Sequence, residues 1–190
     1  MITLFCFFKF LFRNALARLS LAGMVCALFS CATFATPVYA TEIEVCFTPG
    51  SDCTSQIVQS ITEARRTVLV QAYSFTSAPI AKALVSAHKR GVDVQVILDK
   101  SQRSERYSSA HFLVHAGIPV WIDEKVAIAH NKVMVIDGTT VVTGSFNFTK
   151  AAQERNAENL LVIHDPDLAA QYTHNWESRR AKSVPYTGAQ

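Results

Sequence analysis

The chain has no internal repeat and no low-complexity run, which sets aside stacked-repeat architectures and compositionally disordered chains. Acidic residues are missing from the first forty positions, which carry Lys9, Arg13 and Arg18 as their charges. A chargeless stretch then runs from Leu19 to Thr41 and passes through Val38-Tyr39-Ala40. A basic start, an apolar middle and a small residue at the exit are the layout of a secretory signal peptide. Residues 1–40 are therefore expected to be a leader cleaved after Ala40, with 41–190 as the exported domain, periplasmic or secreted. The alternatives are an uncleaved membrane anchor and lipidation at Cys31, for which Phe29 is a poor fit.

A net charge is also missing from the exported part. Removing the leader takes three of the 18 basic residues and none of the 15 acidic ones, leaving 15 of each. Whole-protein charge therefore does not argue for a nucleic-acid partner, and any basic site has to be local. Cysteine is scarce there too: three of five lie in the leader, and Cys46 and Cys53 remain. They flank a Thr-Pro-Gly-Ser-Asp turn segment, so the chain can bring them together, and an oxidising compartment would allow a disulfide. At 190 residues with 49% hydrophobic and 17% charged residues, the chain has the composition of one ordinary globular domain.

Strand and helix signals alternate along the exported part. Residues 42–47 read as a short strand, and Ile57, Val58 and Ile61 fall at helical spacing. Residues 67–75 are rich in β-branched and aromatic side chains and read as a strand. Ser77 is placed to cap the next helix, Pro79 fits its first turn, and Gly91 ends it. Residues 92–98 read as the second strand of a βαβ unit. A polar loop over 101–109 leads into a helix ending near Gly117, followed by a short strand at 118–122. Strands at 132–137 and 140–145 are joined by an Asp-Gly turn, with another strand at 158–163. A last helix starts at Asp165-Pro166 and places Leu168, Tyr172 and Trp176 four residues apart. The tail after Lys182 reads as loose. The pattern predicts an α/β fold, a mixed sheet sandwiched by helices.

The chemistry lies around the Asp-Gly turn. His130 and Lys132 are two apart on one strand, and Ser145 and Asn147 are two apart on its partner. Residues two apart on a strand share a face. If Gly138-Thr139 is the turn centre, Lys132 sits opposite Ser145; if Asp137-Gly138 is the centre, His130 does. Both registers put all four side chains on one face, and only a one-residue slip sends Ser145 and Asn147 to the other. An ammonium, a hydroxyl and a carboxamide suit a phosphate whose oxygens gain charge as a fifth group approaches phosphorus. An imidazole beside them can serve as nucleophile or general acid. No second His or Cys stands at zinc-ligand spacing nearby, and no acidic cluster suggests magnesium, so the reading is chemistry without metal or cofactor.

The run from His130 through Lys132 and Asp137, then Gly144-Ser145-Phe146-Asn147, resembles the HxK(x)4D signature of the phospholipase D superfamily and its following Gly-Ser-x-Asn. Tyr73-Ser74-Phe75, the segment 144–152 and Glu158-Asn159 resemble the small bacterial endonuclease branch, and the likeness covers roughly residues 42 to 180. The resemblance implies a phospholipase D-like fold with one motif per chain and His130 as the nucleophile of a phosphohistidine. Lys132, Ser145 and Asn147 would hold the phosphate, and Glu158 would bond and orient the histidine ring. Asp137 and Gly144 belong to the motif, and Asp137, at the turn, reads as structural. Since the family chemistry takes two histidines and this chain carries one motif, a symmetric homodimer would supply the second.

Some positions stay open. Glu154 competes with Glu158 as the carboxylate partner. Lys100, Arg103 and Arg106 are spaced by three, either as a solvated surface or as a phosphate-tracking rim. The substrate is expected to be DNA, with RNA as a further possibility. The same machinery would cut a phospholipid if an apolar rim faced a membrane, with Phe146, Phe148 and residues 126–129 as its candidates. A non-catalytic phosphate-binding protein is the third alternative, and the intact histidine argues against it.

Overall fold

The computed structural model describes residues 41–188. The expected leader and Cys6, Cys26 and Cys31 lie outside the described residues. Among the described residues eight strands form one sheet: β1 (Glu42–Thr48), β2 (Thr67–Ala72), β3 (Asp93–Asp99), β4 (Val120–Asp123), β5 (Lys132–Ile136), β6 (Thr140–Gly144), β7 (Glu158–His164) and β8 (Val184–Pro185). Their spatial order is β1-β7-β6-β5-β2-β3-β4-β8. β2, β3 and β4 run parallel, while the other neighbouring pairs are antiparallel, so the sheet is mixed.

Helices lie on both faces. α1 (Cys53–Glu63) buries Ile57 and Ile61, and α2 (Ala78–Lys89) buries Ile80, Ala81, Leu84 and Val85, each at helical spacing. They share the main core with Val68, Val70, Met134, Ile136 and Val142 from the sheet. The shorter helices are α3 (Ala110–His115) and α4 (Lys150–Glu154). α5 (Pro166–Arg180) covers the opposite face, where Ala169 packs with Val133, Val135 and Val141. Trp176 of α5 is buried and donates its indole N–H to the Val70 carbonyl at 2.8 Å. Arg179, also on α5, reaches the fully buried Asp123 with two hydrogen bonds of 2.7 and 2.6 Å, fastening the helix to β4. Cys46 and Cys53 are joined in a disulfide that links β1 to the start of α1.

Three local expectations need correcting. β2 stops at Ala72 and the chain bends at Tyr73, because Phe75 leaves the ladder to pair with Phe148 within the main core. Ser77 holds the N-cap position of α2 but makes no side-chain cap; it is buried, and its backbone N–H donates to the Phe148 carbonyl at 2.9 Å. The tail after Lys182 is tied down: β8 pairs with β4, and the Tyr186 N–H donates to the Val120 carbonyl at 2.8 Å.

Candidate active site

The β5–β6 hairpin pairs Ile136 with Thr140, Val135 with Val141 and Met134 with Val142. Three residues, Asp137 to Thr139, therefore form the connection, and the register is the one-residue slip rather than either two-residue turn. A regular continuation would place Ser145 on the face opposite Lys132. A bulge restores it. The N–H groups of Ser145 and Phe146 both donate to the Asn159 carbonyl, at 3.1 and 3.2 Å, so two residues of one strand oppose one of its partner. Gly144, at the head of the bulge, has φ +143°, and a Cβ there would collide with the Asn159 carbonyl oxygen. Phe146 and Phe148 are fully buried and anchor the segment that carries Ser145 and Asn147.

The consequence is visible in the contacts. The Ser145 hydroxyl donates to Oε2 of Glu158 at 2.6 Å and accepts from the Asn159 N–H at 3.0 Å. Glu158 in turn lies close enough to Lys132 for its charge to oppose the deprotonation of the ammonium. Lys132 is 7% exposed, and burial still pulls its pKa below the ordinary lysine value, with Glu158 as the counterweight. Its Nζ donates to the His130 carbonyl at 3.0 Å and sits 5.2 Å from the centre of the Tyr73 ring. The Tyr73 ring is 4.7 Å from that of His130, whose side chain is open to solvent. His130, Lys132, Ser145 and Glu158 thus form one continuous cluster with Tyr73 in it. Asn147 is half-buried, and its Oδ1 has no hydrogen-bond partner among the described residues.

Glu158 does not make the expected bond to the histidine ring. Its Oε1 accepts from the Asn156 amide at 2.9 Å and its Oε2 from Ser145, so both oxygens are engaged elsewhere. The bulge turns Ser145 toward Glu158, while the imidazole rests against Tyr73 instead. Glu154, the competing carboxylate, pairs with Lys150 along α4.

Asp137 lies at the far end of the hairpin, about 16 Å from Lys132 at the usual strand rise. It adopts φ +55°, and its carboxylate accepts the N–H groups of Arg65, Arg66 and Thr67 at 2.9, 2.7 and 2.9 Å. Burial pushes its pKa up, but the three N–H groups and the Arg66 charge outweigh that and hold it below the usual carboxylate value. Asp137 therefore fastens the connection from α1 into β2.

The basic segment lies beside the chain that delivers His130. Lys100 donates to the Val126 carbonyl at 3.3 Å, and Arg103 pairs with Glu124 at 3.4 Å. The Arg106 guanidinium stacks over the exposed Tyr107 ring. The apolar rim is not formed as expected: Phe146 and Phe148 are interior, and Ala129 is buried. Within that set, Ile128 is the large apolar side chain left exposed, at 57%.

Three further residues act at the site: Tyr73, which the sequence marks only through the Tyr73-Ser74-Phe75 likeness, and Asp99 and Asn156, which it does not mark as site residues. Asp99 is buried at the end of β3 and accepts the N–H groups of Ser101 at 2.9 Å and Ala129 at 2.7 Å, holding the residue before His130. Burial raises its pKa, and those hydrogen bonds together with Lys100 overcome the rise, leaving it lowered. The available signal was position: Tyr73 and Asp99 follow or end parallel strands at their carboxyl edge, where open α/β sheets place their sites. Among the described residues no group of three or more His, Cys, Asp or Glu is arranged to hold a metal ion.

Comparison with known proteins gives a consistent set. The family model described as cardiolipin synthase, PLD-like domain, matches residues 57–180. A phospholipase D of Rickettsia bellii is 46% identical over 142 residues, 75% of this chain and 71% of that protein. The mitochondrial cardiolipin hydrolase of Xenopus laevis is 33% identical over 133 residues, 70% of this chain and 63% of that one. Among solved structures, the phospholipase D family member Nuc from Salmonella typhimurium superposes with a TM-score of 0.75 at 37% identity, covering 77% of this chain and 99% of its own. NucT from Helicobacter pylori gives 0.73 at 26% identity, covering 77% and 100%.

Proposed function

We propose, from the premise that this chain belongs to the phospholipase D superfamily, that it is an exported, metal-independent endonuclease working through a phosphohistidine at His130. Phosphodiester hydrolysis is its reaction class. The observation that carries the finer reading is the cluster in which the chain entering β5 supplies His130 and Lys132 while the Gly144 bulge brings Ser145 onto Glu158 beside them.

In this reading a ring nitrogen of His130 attacks phosphorus, an N–P bond forms and a P–O bond breaks. The leaving oxygen takes a proton from a second histidine. Water then attacks phosphorus, gives its proton to that second histidine, and the N–P bond breaks to restore His130. The Lys132 ammonium offsets the phosphate charge, the Asn147 amide donates to its oxygens, and the Ser145 hydroxyl donates to them once its one hydrogen turns from Glu158 to the phosphate. Glu158 acts as a positioning residue for Ser145 and as the counter-charge that keeps Lys132 protonated. With one motif per chain, the second histidine is the His130 of another copy, related by a two-fold axis.

Nucleic acid is favoured over lipid by what surrounds the site. The side chains that would have formed an apolar rim, Phe146 and Phe148, are interior, while the segment beside His130 carries Lys100, Arg103 and Arg106 at the surface. The lipid reading draws on relatives named phospholipase D and cardiolipin hydrolase and on exposed Ile128 and Tyr107. The test is hydrolysis of plasmid DNA, single-stranded RNA and anionic phospholipid vesicles side by side in excess EDTA, with His130→Ala as control. Nucleic-acid cleavage lost in the variant supports the endonuclease. Lipid cleavage alone transfers the assignment to a phospholipase with the same site residues.

A further inference from the structure

We infer that Tyr73 is a positioning residue whose ring fixes the Lys132 ammonium and the His130 imidazole relative to each other. The inference rests on the reading of His130 and Lys132 as the reacting pair. β2 ends at Ala72, and the Tyr73 N–H still donates to the Asn131 carbonyl at 2.8 Å, so its backbone is tied between the two residues it serves. The bend at that point releases the ring from the strand pleat. The ring then makes two contacts at once: its centre lies 4.7 Å from that of His130, tilted by 55°, and 5.2 Å from the Lys132 Nζ.

Each contact has a physical consequence. A cation within about 6 Å of an aromatic centroid is attracted to the negative ring face, and more strongly where water is excluded. Lys132 is buried, so the ring helps to keep charged an ammonium that burial drives toward the neutral form. The groups facing that ammonium are Glu158 from β7, His130 beside β5 and Tyr73 after β2. The imidazole, open to solvent on its other side, is limited by the ring in the rotations open to it. A nucleophile held near its attack geometry reacts faster than one that has to find it.

The test uses the full chain, with bis(p-nitrophenyl) phosphate in EDTA as the probe substrate. Wild type, Tyr73→Phe, Tyr73→Leu and His130→Ala are compared in kcat, KM, the pH dependence of kcat and melting temperature. Tyr73→Phe keeps the ring and is expected within about threefold of wild type, with its alkaline limb unmoved. Tyr73→Leu is expected to lose about tenfold in kcat with little change in KM, and its alkaline limb to move down by about half a pH unit. A Tyr73→Leu limb that stays in place overturns the inference, whether or not kcat falls, because a packing role lowers the amplitude without moving the limb. A Tyr73→Phe variant as impaired as Tyr73→Leu also overturns it, since the hydroxyl would then be the active part. His130→Ala separates the two levels: residual full activity there removes the site reading itself. An inactive His130→Ala beside a wild-type-like Tyr73→Leu removes only the role of the ring.

Discussion

Replacing Gly144 by alanine puts a methyl group against the Asn159 carbonyl oxygen, at a backbone position with φ +143°. Two costs add. A side chain forced into that glycine region costs about 1–3 kcal/mol. The collision is with backbone rather than a flexible side chain, so relief requires the β6–β7 ladder to shift. For a domain of this size a loss of about 3 kcal/mol lowers Tm by roughly 6–12 °C. The functional effect is separable from the thermal one. Relief of the clash opens the bulge, so the Ser145 and Phe146 N–H groups no longer share Asn159, and Ser145 turns away from Glu158. Losing one preorganised donor at a developing oxyanion costs about 10²–10³ in kcat. Gly138→Ala is the control: it also has a positive φ, +68°, but nothing stands within 4 Å of its Cβ and it lies at the far end of the hairpin. Gly138→Ala should cost about 1–2 kcal/mol and leave kcat unchanged. Denaturation in urea and steady-state kinetics well below both melting temperatures decide the matter. A Gly144→Ala enzyme with wild-type kcat would refute the link between the bulge and Ser145.

Asp137→Ala removes the acceptor of three N–H groups and should cost about 1.5–3 kcal/mol in urea unfolding at pH 7 while kcat stays near wild type. Because the folded pKa of Asp137 is held below its ordinary value, its contribution is present above the unfolded carboxylate pKa and is lost as pH falls through the folded one; the gap between wild type and Asp137→Ala should therefore shrink in acid. Lys132→Met should abolish turnover by about 10²–10³ or more without lowering Tm, because a buried ammonium whose pKa burial depresses is a cost to the fold; a Tm fall of several degrees in calorimetry would contradict this. Reducing the Cys46–Cys53 disulfide, which spans seven residues, should destabilise by about 2–3 kcal/mol, read as a lower Tm in dithiothreitol with the active-site chemistry unchanged.

The alternation of strand and helix was legible because each signal is local. Ile57 and Ile61, or Ile80, Leu84 and Ala81, repeat at helical spacing, and the β-branched runs of β2 and β3 need no distant partner to be recognised. The residues of the site were legible too, through their spacing around Asp137-Gly138. Their facing was not. Turn length depends on whether Thr139 joins the connection, and the Asp-Gly pair is compatible with two- or three-residue forms. The bulge that compensates depends on the Asn159 carbonyl of β7, which pairing with a third strand brings into place. Phe146 and Phe148 looked like surface candidates because their alternation with Ser145 and Asn147 shows two faces without saying which is inside. Phe75 meeting Phe148 decides it, across 73 positions of sequence. The site roles of Tyr73 and Asp99 were missed for the same reason, since Tyr73 acts on His130 and Lys132 and Asp99 on Ala129, far away in the chain, whereas Asn156 acts on Glu158 only two residues on and no local pattern marks it. The β8 pairing of the tail likewise rests on the edge of β4, which the tail's own residues do not announce.

The most direct test of the account is to quench the enzyme with acid-free denaturant during turnover of a phosphodiester in excess EDTA and map any phosphoryl adduct by mass spectrometry. Trypsin releases the segment 126–132, in which His130 is the one histidine. The account predicts a base-stable, acid-labile adduct on that segment in wild type, with neither adduct nor turnover in His130→Ala. Turnover that stops with EDTA, or that persists in His130→Ala, would contradict it.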